Sequence, residues 1–433
     1  MKQKKMIWLS LTSISLLVTA CTKNEEDMSE TYSSSITVEN VLESKPLVES
    51  GTFKHIGESP LIMPGESVSF QFSAAKGQAL SFATMYGWSN DLFFAPANPG
   101  IKLYQDNGDP IVGDVSSQLK LWDNGTRINQ TPGAKVVHPG TAEITPKNIV
   151  EVKGTDDQGN TFTDASQLMK LMLHYDGNST FTLTITNTSG GTSNPTPFSP
   201  GVWAISYIVG GNLLKPYPIY EAGKPSANGI TNIAEMGDNS ILGNYIAGQT
   251  GIFTPLSPVL VVIYNGIDNP IYKTGESDRG KGLKELAQKG DASGLSKYLK
   301  TVNGVKQVFV LPETTTNILL PKIGDQAGGR VTQQFNYADG DRLAIATMYG
   351  FSNDWFFASK DNGIDAGQKG DVSSTIGLFD NGTAINQFPG AGITQFNLAG
   401  TPLVESKAIE SVPNPNTFTT LPGINNIIKV TIN

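Results

Sequence analysis

The residues best suited to chemistry are two pairs of aspartates that lie in repeated sequence blocks. Asp91 and Asp123 form the first pair, and Asp354 and Asp380 form the second. Paired carboxylates can hydrolyse a glycosidic bond. They are also compatible with cation binding, as is the acidic balance of the chain, whose formal net charge is −8. The sequence therefore offers hydrolysis or cation coordination at these positions.

Other catalytic arrangements find no support in the sequence. The three histidines, His55, His138 and His174, are isolated and lie outside the repeated blocks. There is no HExxH zinc motif, no phosphate-binding P-loop and no nucleophile elbow. We therefore predict that the protein is not an enzyme. Its acidity also argues against a nucleic-acid partner.

The repeated blocks indicate a duplicated domain. The segment LSFATMYGWSNDLFFA at 80–95 recurs as LAIATMYGFSNDWFFA at 343–358, and GDVSS at 113–117 recurs at 370–374. Further on, WDNGT from Trp122 is matched by FDNGT from Phe379, and INQTPGA from Ile128 by INQFPGA from Ile385. Because these blocks recur in the same order, chance resemblance is not a serious alternative.

Alternating apolar and polar residues around the blocks predict β-strands. Val68, Phe70 and Phe72 alternate with polar residues, and the C-terminal Ile428 and Val430 do the same. This period-two pattern is typical of strands with one buried and one wet face. The 46 Gly and 25 Pro favour many short strands joined by tight turns. We predict an all-β fold with two antiparallel β-sandwiches.

The same patterns suggest domain boundaries. Apolar residues at helical spacing, among them Leu283, Leu286 and Leu295, predict short helices that pack on the second sandwich. A turn signal at Asp176-Gly177-Asn178 lies between two strand patterns. We therefore expect a first domain over 36–176 and a second over 177–433, with a helical insertion over 198–300 in the second.

The N-terminus is typical of an exported lipoprotein. Positive residues at 2–5 precede a short apolar stretch at 6–18, and the small residues before Cys21 look like a lipobox. We expect residues 1–20 to be removed, Cys21 to carry lipid, and 21–35 to form a flexible tether. The acidic run at 23–27 is either a sorting tag for the outer face or plain tether. This predicts an outer-membrane lipoprotein, at the cell surface of a Gram-negative bacterium, with membrane contact only through its lipid.

The repeated blocks carry a resemblance to a known family. The pattern ATMxxxSNDWFFA, then GDxxS, then WDxGT resembles the spondin N-terminal (F-spondin) domain. The segments SPGVW at 199–203 and 282–291 are similar to further signatures of that family. The resemblance covers 36–433 and implies a sandwich akin to a C2 domain, a bound calcium ion, and extracellular adhesion.

The resemblance also implies the calcium ligands. The family uses the Asp of the SND block and two Asp spaced DxxxD, which Asp91 and Asp123 match in one copy and Asp354 and Asp380 in the other. The last position is Arg127 or Ala384, so one carboxylate is missing from each site. Calcium takes six to eight oxygens. Possible substitutes for the missing ligand are Asn90, Asp114, Asn129, Asn353, Asp371 and Asn386.

Two questions stay open from the sequence. The aspartates could instead cap turns, with Arg127 in a salt bridge to Asp123 in place of an ion. The protein is predicted to be a binding or adhesion module, with or without a stabilising calcium ion, that contacts an extracellular protein or glycan. The alternative is a structural spacer or assembly component of the cell envelope. An exposed apolar patch near the motif loops would favour the binding module.

Overall fold

The computed structural model describes residues 30–311 and 318–433. The predicted signal segment, Cys21 and residues 22–29 of the predicted tether lie outside the described residues. Within the described ranges, no helix has the length and apolarity needed to cross a bilayer.

Short strands supply most of the regular structure. The strands of the first part of the chain are β1 (Tyr32–Asn40), β2 (Leu47–Phe53), β3 (Ser67–Ser73), β4 (Ala79–Met85), β5 (Leu92–Pro96), β6 (Ile101–Lys102), β7 (Gly113–Asp114), β8 (Leu119–Asp123), β9 (Val150–Glu151), β10 (Gly154–Thr155), β11 (Thr161–Phe162), β12 (Met169–Gly177) and β13 (Thr180–Asn187). Those of the remainder are β14 (Gly201–Ser206), β15 (Ile208–Val209), β16 (Asn212–Leu213), β17 (Val259–Asn265), β18 (Val305–Leu311), β19 (Arg330–Tyr337), β20 (Asp341–Met348), β21 (Trp355–Ser359), β22 (Ile364–Asp365), β23 (Gly370–Asp371), β24 (Ile376–Asp380), β25 (Glu410–Ser411) and β26 (Ile428–Ile432). The α-helices are α1 (Ala165–Leu168), α2 (Ile230–Met236), α3 (Ser240–Gln249), α4 (Leu283–Lys289) and α5 (Ser293–Leu299).

The first sandwich packs a four-stranded sheet against a seven-stranded one. The smaller sheet has the order β3-β13-β12-β7, and the larger has β2-β14-β4-β5-β8-β9 with β6 paired to β4. The alternating residues Phe181, Leu183 and Ile185 of β13 are fully buried between the sheets, together with Phe72 and Phe82. One apolar face per strand therefore builds this core.

The second sandwich repeats this arrangement with a strand from the N-terminus. Its smaller sheet has the order β19-β1-β26-β23, and its larger has β18-β17-β20-β21-β24-β25 with β22 paired to β20. Strand β1 is antiparallel to β19 from Tyr32 opposite Tyr337 to Glu39 opposite Arg330. Ile36 and Val38 of β1 are buried in the core. The predicted all-β class with two antiparallel sandwiches is confirmed.

The predicted domain boundary at 176–177 is wrong. That position lies in the hairpin between β12 and β13, which pair along their length in one sheet. Strand β14 lies between β2 and β4 of the first sandwich, although the predicted boundary puts it in the second domain. The repeated blocks follow the linear order of the chain, whereas sheet membership depends on pairing between distant segments.

The predicted helical insertion at 198–300 is also divided between the domains. Ile230, Ile233 and Leu242 of α2 and α3 pack on Ala83 and Phe93 of the first sandwich. Helices α4 and α5 pack on the second sandwich. Each copy therefore has its own helix pair, and the expectation that helices belong to the second copy alone is wrong.

The first sandwich is inserted into the second. The second is built from β1 and from β17 to β26, and the first occupies the chain between these parts. The two connections run side by side: Lys45 N donates to Ile252 O at 3.0 Å, and Gly251 N donates to Leu47 O at 3.0 Å. Because the ends of the inserted domain lie close together, its insertion leaves the host sandwich intact.

Candidate cation sites

Strand pairing brings Asp91 and Asp123 to the same end of the first sandwich. Strand β5 begins at Leu92, directly after Asp91, and Leu92 lies opposite Asp123 at the end of β8. The backbone N–H of Asn124 donates to the carbonyl of Asp91 at 3.2 Å. The two aspartates therefore face one small volume where two strands begin and end.

The second sandwich repeats this juxtaposition. Trp355, which follows Asp354, lies opposite Asp380. The N–H of Asn381 donates to the carbonyl of Asp354 at 3.2 Å, the same contact as in the first copy. Both predicted pairs thus converge.

The Asp91 carboxylate is held by one oxygen and leaves the other without a partner. Its Oδ2 accepts the N–H of Thr126 at 2.7 Å and of Arg127 at 2.8 Å, and the Thr126 hydroxyl lies 3.0 Å away. Its Oδ1 is buried, and no described residue donates to it. Burial, and then the negative charge of Asp123, raise the pKa of Asp91 to about 7. An ionised Asp91 is therefore unfavourable without a compensating positive charge.

Asp354 has the same environment. Its Oδ2 accepts the N–H of Thr383 at 2.6 Å, the Thr383 hydroxyl at 2.9 Å and the N–H of Ala384 at 2.9 Å. Its Oδ1 is buried and has no donor among the described residues. Burial and the charge of Asp380 raise the pKa of Asp354. The same unpaired oxygen thus occurs at the matching position of both copies.

Asp123 and Asp380 also cap turns, as the alternative interpretation predicts. The Oδ1 of Asp123 accepts the N–H of Gly125 at 2.7 Å, and its Oδ2 accepts the side-chain N–H of Asn129 at 2.7 Å. The second copy repeats both contacts with Asp380, Gly382 and Asn386. Gly125 has a φ of +74°, and a Cβ there would lie 2.6 Å from the carbonyl oxygen of Lys147. The turn therefore requires glycine. Each carboxylate oxygen still has a second lone pair for a cation.

Two asparagines that sequence reasoning missed lie next to the paired aspartates and carry unpaired oxygens. Asn124 and Asn381 follow the turn aspartates, are fully buried, and have an Oδ1 with no donor among the described residues. The Oδ1 of Asn129 is likewise unpaired. The identical tetrapeptide DNGT in both copies could have pointed to these asparagines. Its Asn is, however, equally typical of a residue that only forms a turn.

Asn90 and Asn353 hold loops beside the paired aspartates. The Oδ1 of Asn90 accepts the N–H of Gln130 at 2.9 Å, and its Nδ2 donates to the carbonyl of Val137 at 3.1 Å. The Oδ1 of Asn353 accepts the N–H of Gln387 at 3.0 Å. These amides therefore anchor loops, and their oxygens are not unpaired in the way that those of Asn124 and Asn381 are.

Asp114 and Asp371 lie in the other sheet of each sandwich. Asp114 pairs with Met172 in the four-stranded sheet, and its Oδ1 accepts the N–H of Ser116 at 2.9 Å. Asp371 makes the same contact with Ser373, at 2.9 Å. Both are exposed turn caps. Because these caps belong to the sheet opposite the paired aspartates, we do not retain them as ligands.

Arg127 pairs with a residue other than the one expected. Its Nη2 lies 2.6 Å from Glu235 Oε2 on α2, whereas the predicted salt bridge to Asp123 is not formed. In the second copy the two positions hold Ala384 and Gln288, and the Gln288 side chain donates to the Thr383 hydroxyl at 3.0 Å. The first copy thus has an ion pair at these two positions, and the second copy has an uncharged residue at each of them.

The donor set suits a hard cation. The described residues contain no group of three or more His, Cys, Asp or Glu side chains placed to hold a metal. Each site instead offers two carboxylates and at least one amide oxygen, a set that calcium accepts together with water. Unpaired buried oxygens cost about 1–3 kcal/mol each. A cation would remove this cost, so the residues fit calcium.

A comparison with protein-family models found no match, and a comparison with curated proteins found none either.

Proposed function

We propose that the protein is a lipid-anchored, non-catalytic binding module of the bacterial envelope, in which a calcium ion stabilises each sandwich. The observation that carries the proposal is the unpaired, buried carboxylate oxygen of Asp91 and of Asp354, together with the unpaired amide oxygen of the buried Asn124 and Asn381. Buried polar atoms usually have a hydrogen-bond partner, so the recurrence of these unpaired oxygens at matching positions of both copies supports a bound cation.

Calcium would join loops that are distant in the chain. In the first copy Asp91, Asp123 and Asn124 would hold it; Asp354, Asp380 and Asn381 would do so in the second. The ion supplies positive charge between two buried carboxylates and so offsets their repulsion. It would also fix the start of one strand to the end of its neighbour, and with them the loops that follow.

Those loops expose aliphatic side chains, which favours a binding module over a spacer. Arg127 forms an isolated β-bridge with Ala142, and Ile144, two residues after Ala142, is 99% exposed. The matching bridge between Ala384 and Val404 leaves Val404 75% exposed. In the second copy Leu403, which is 51% exposed, and Ile385, which is 40% exposed, lie next to Val404, and a contiguous apolar patch of this kind is typical of an interaction surface. We propose that these loops contact a protein or glycan outside the cell.

The proposed location follows from the N-terminus. Lipid on Cys21 would place the protein on the outer membrane, facing the outside of the cell. The tether would lead directly into β1, so the second sandwich would be the anchored one. Replacing Cys21 with Ser should move the protein out of the membrane fraction. Unchanged membrane association of this variant would contradict the anchor.

Calorimetry tests the calcium proposal. The full-length Cys21→Ser chain, freed of metal with EDTA, is titrated with calcium, and its thermal unfolding is followed with and without the ion. With a dissociation constant near 10⁻⁴ M and about 1 mM calcium, each site should add roughly 1.4 kcal/mol of stability. Absence of both binding heat and a stability gain would overturn the proposal.

A further inference from the structure

The second sandwich has an open cleft that is separate from its cation site. The cleft has a volume of about 740 Å³ and lies between α5 and the end of β18. Its floor is aliphatic, and its rim is basic. The floor includes Leu256, Val310, Ile318 and Met348, and the rim carries Lys289, Lys297 and Lys300.

The rim concentrates positive charge on an acidic protein. All three lysines are exposed. Within the described ranges, none of them forms an ion pair. Among the described lining residues Asp291 is the acidic one, and its carboxylate accepts the N–H of Ser293 at 2.9 Å. The chain as a whole has a formal net charge of −8, whereas the rim of this cleft is positively charged. The cleft therefore favours the binding of anions.

The duplicated domain provides an internal comparison. The matching cleft of the first sandwich, about 510 Å³ in volume, lies along α3 and is lined by Asn244 and Ala247 where the second has Lys297 and Lys300. Met236 stands where the second copy has Lys289. Lys54 is the lysine of that lining. The cluster of three lysines is thus a property of the second cleft and not of the repeated fold.

The rest of the lining favours a peptide over a sugar. No aromatic ring, the surface on which sugar rings commonly pack, is among the lining residues that the structure describes. Ile318 is 48% exposed and offers aliphatic surface. Strand β18, which contributes Val310, is the outermost strand of its sheet, and no described strand pairs with its outer side. An edge strand can pair with an extended peptide.

We infer that this cleft binds an extended acidic segment of a partner protein. Aliphatic side chains of the segment pack on the floor, and its carboxylates reach the three lysines. The cleft shares no residue with the proposed calcium sites, so this binding goes beyond the proposed function and is independent of the ion.

Fluorescence anisotropy tests the inference. The probe is a short fluorescein-labelled peptide in which Asp and Val alternate, added to the full-length Cys21→Ser chain. The variant Lys289→Gln/Lys297→Gln/Lys300→Gln removes the rim charges, and Lys54→Gln in the first cleft is the matched control. Because each exposed ion pair contributes modestly, the triple variant should bind about tenfold more weakly. Lys54→Gln should bind as the parent does.

The outcomes separate the possibilities. Loss of binding in the triple variant alone, with weaker binding at high salt, supports the inference. No binding of the peptide, or equal binding by the triple variant, overturns it. Preferential binding of polygalacturonate that depends on the three lysines overturns the peptide assignment. Calcium titration of the same samples shows whether the calcium proposal stands or fails separately.

Discussion

Replacing Asp91 with asparagine should remove a pH-dependent penalty on metal-free stability. The pKa of Asp91 is about 7 in the folded protein and 3.8 ordinarily. Between these values the folded state keeps a proton that the unfolded chain has lost. Stability without calcium therefore falls as the pH rises through this range, and the full loss is reached above the folded pKa.

The structure sets the size of the effect. A shift of roughly three pH units corresponds to as much as about 4 kcal/mol, an upper bound that water entry and relaxation reduce. The amide introduced by Asp91→Asn would keep an oxygen for the N–H groups of Thr126 and Arg127, which donate to Asp91 Oδ2 at 2.7 and 2.8 Å. We expect the stability advantage of the variant over the wild type to grow by at least about 1 kcal/mol between pH 5 and pH 8.

Urea unfolding in EDTA at both pH values measures this difference. Asp354→Asn is the matched variant in the second copy, where Oδ2 makes the same contacts. Burial also raises the pKa of Glu49 to about 7, but Glu49 is present in every protein compared and cancels on subtraction. In about 1 mM calcium the wild type should regain roughly 1.4 kcal/mol at each intact site, which either variant loses at its own site.

Two results would refute this reasoning. One is an Asp91→Asn variant whose advantage over the wild type does not grow between the two pH values. The other is a variant that keeps the whole calcium-dependent gain of the wild type. The first would mean that the buried carboxylate carries no penalty, and the second that it does not bind the ion.

Three further predictions concern other parts of the molecule. Glu235→Ala leaves Arg127 without its partner at 2.6 Å and should cost about 1–3 kcal/mol in the first sandwich, measured by thermal unfolding. Glu49→Gln keeps the bond from Ser73 N at 2.7 Å and should stabilise the protein more near pH 8 than near pH 5, because burial raises the pKa of Glu49. Equal effects at both pH values would contradict this. Val38→Asp buries a charge in β1 and should expose the second sandwich to proteolysis while the first stays resistant.

Local patterns in the sequence were enough for the fold class and for the paired aspartates. Alternation such as that of Phe181, Leu183 and Ile185 specifies which face of a strand is buried, whatever its neighbours are. The tetrapeptide DNGT specifies its own turn, so Asp123 and Asp380 reach the same position in both copies. Both features depend on residues close together in the chain.

Only the tertiary structure decided which strands and side chains meet across long distances. Strand β1 pairs with β19, almost three hundred residues later in the chain, as in the register of Ile36 with Gln333. Arg127 pairs with Glu235 on a helix that the predicted boundary assigns to the other domain. The unpaired oxygens of Asn124 and Asn381 depend on how neighbouring loops close over them. An apolar strand face suits many partners, so local sequence specifies its burial but not its neighbour.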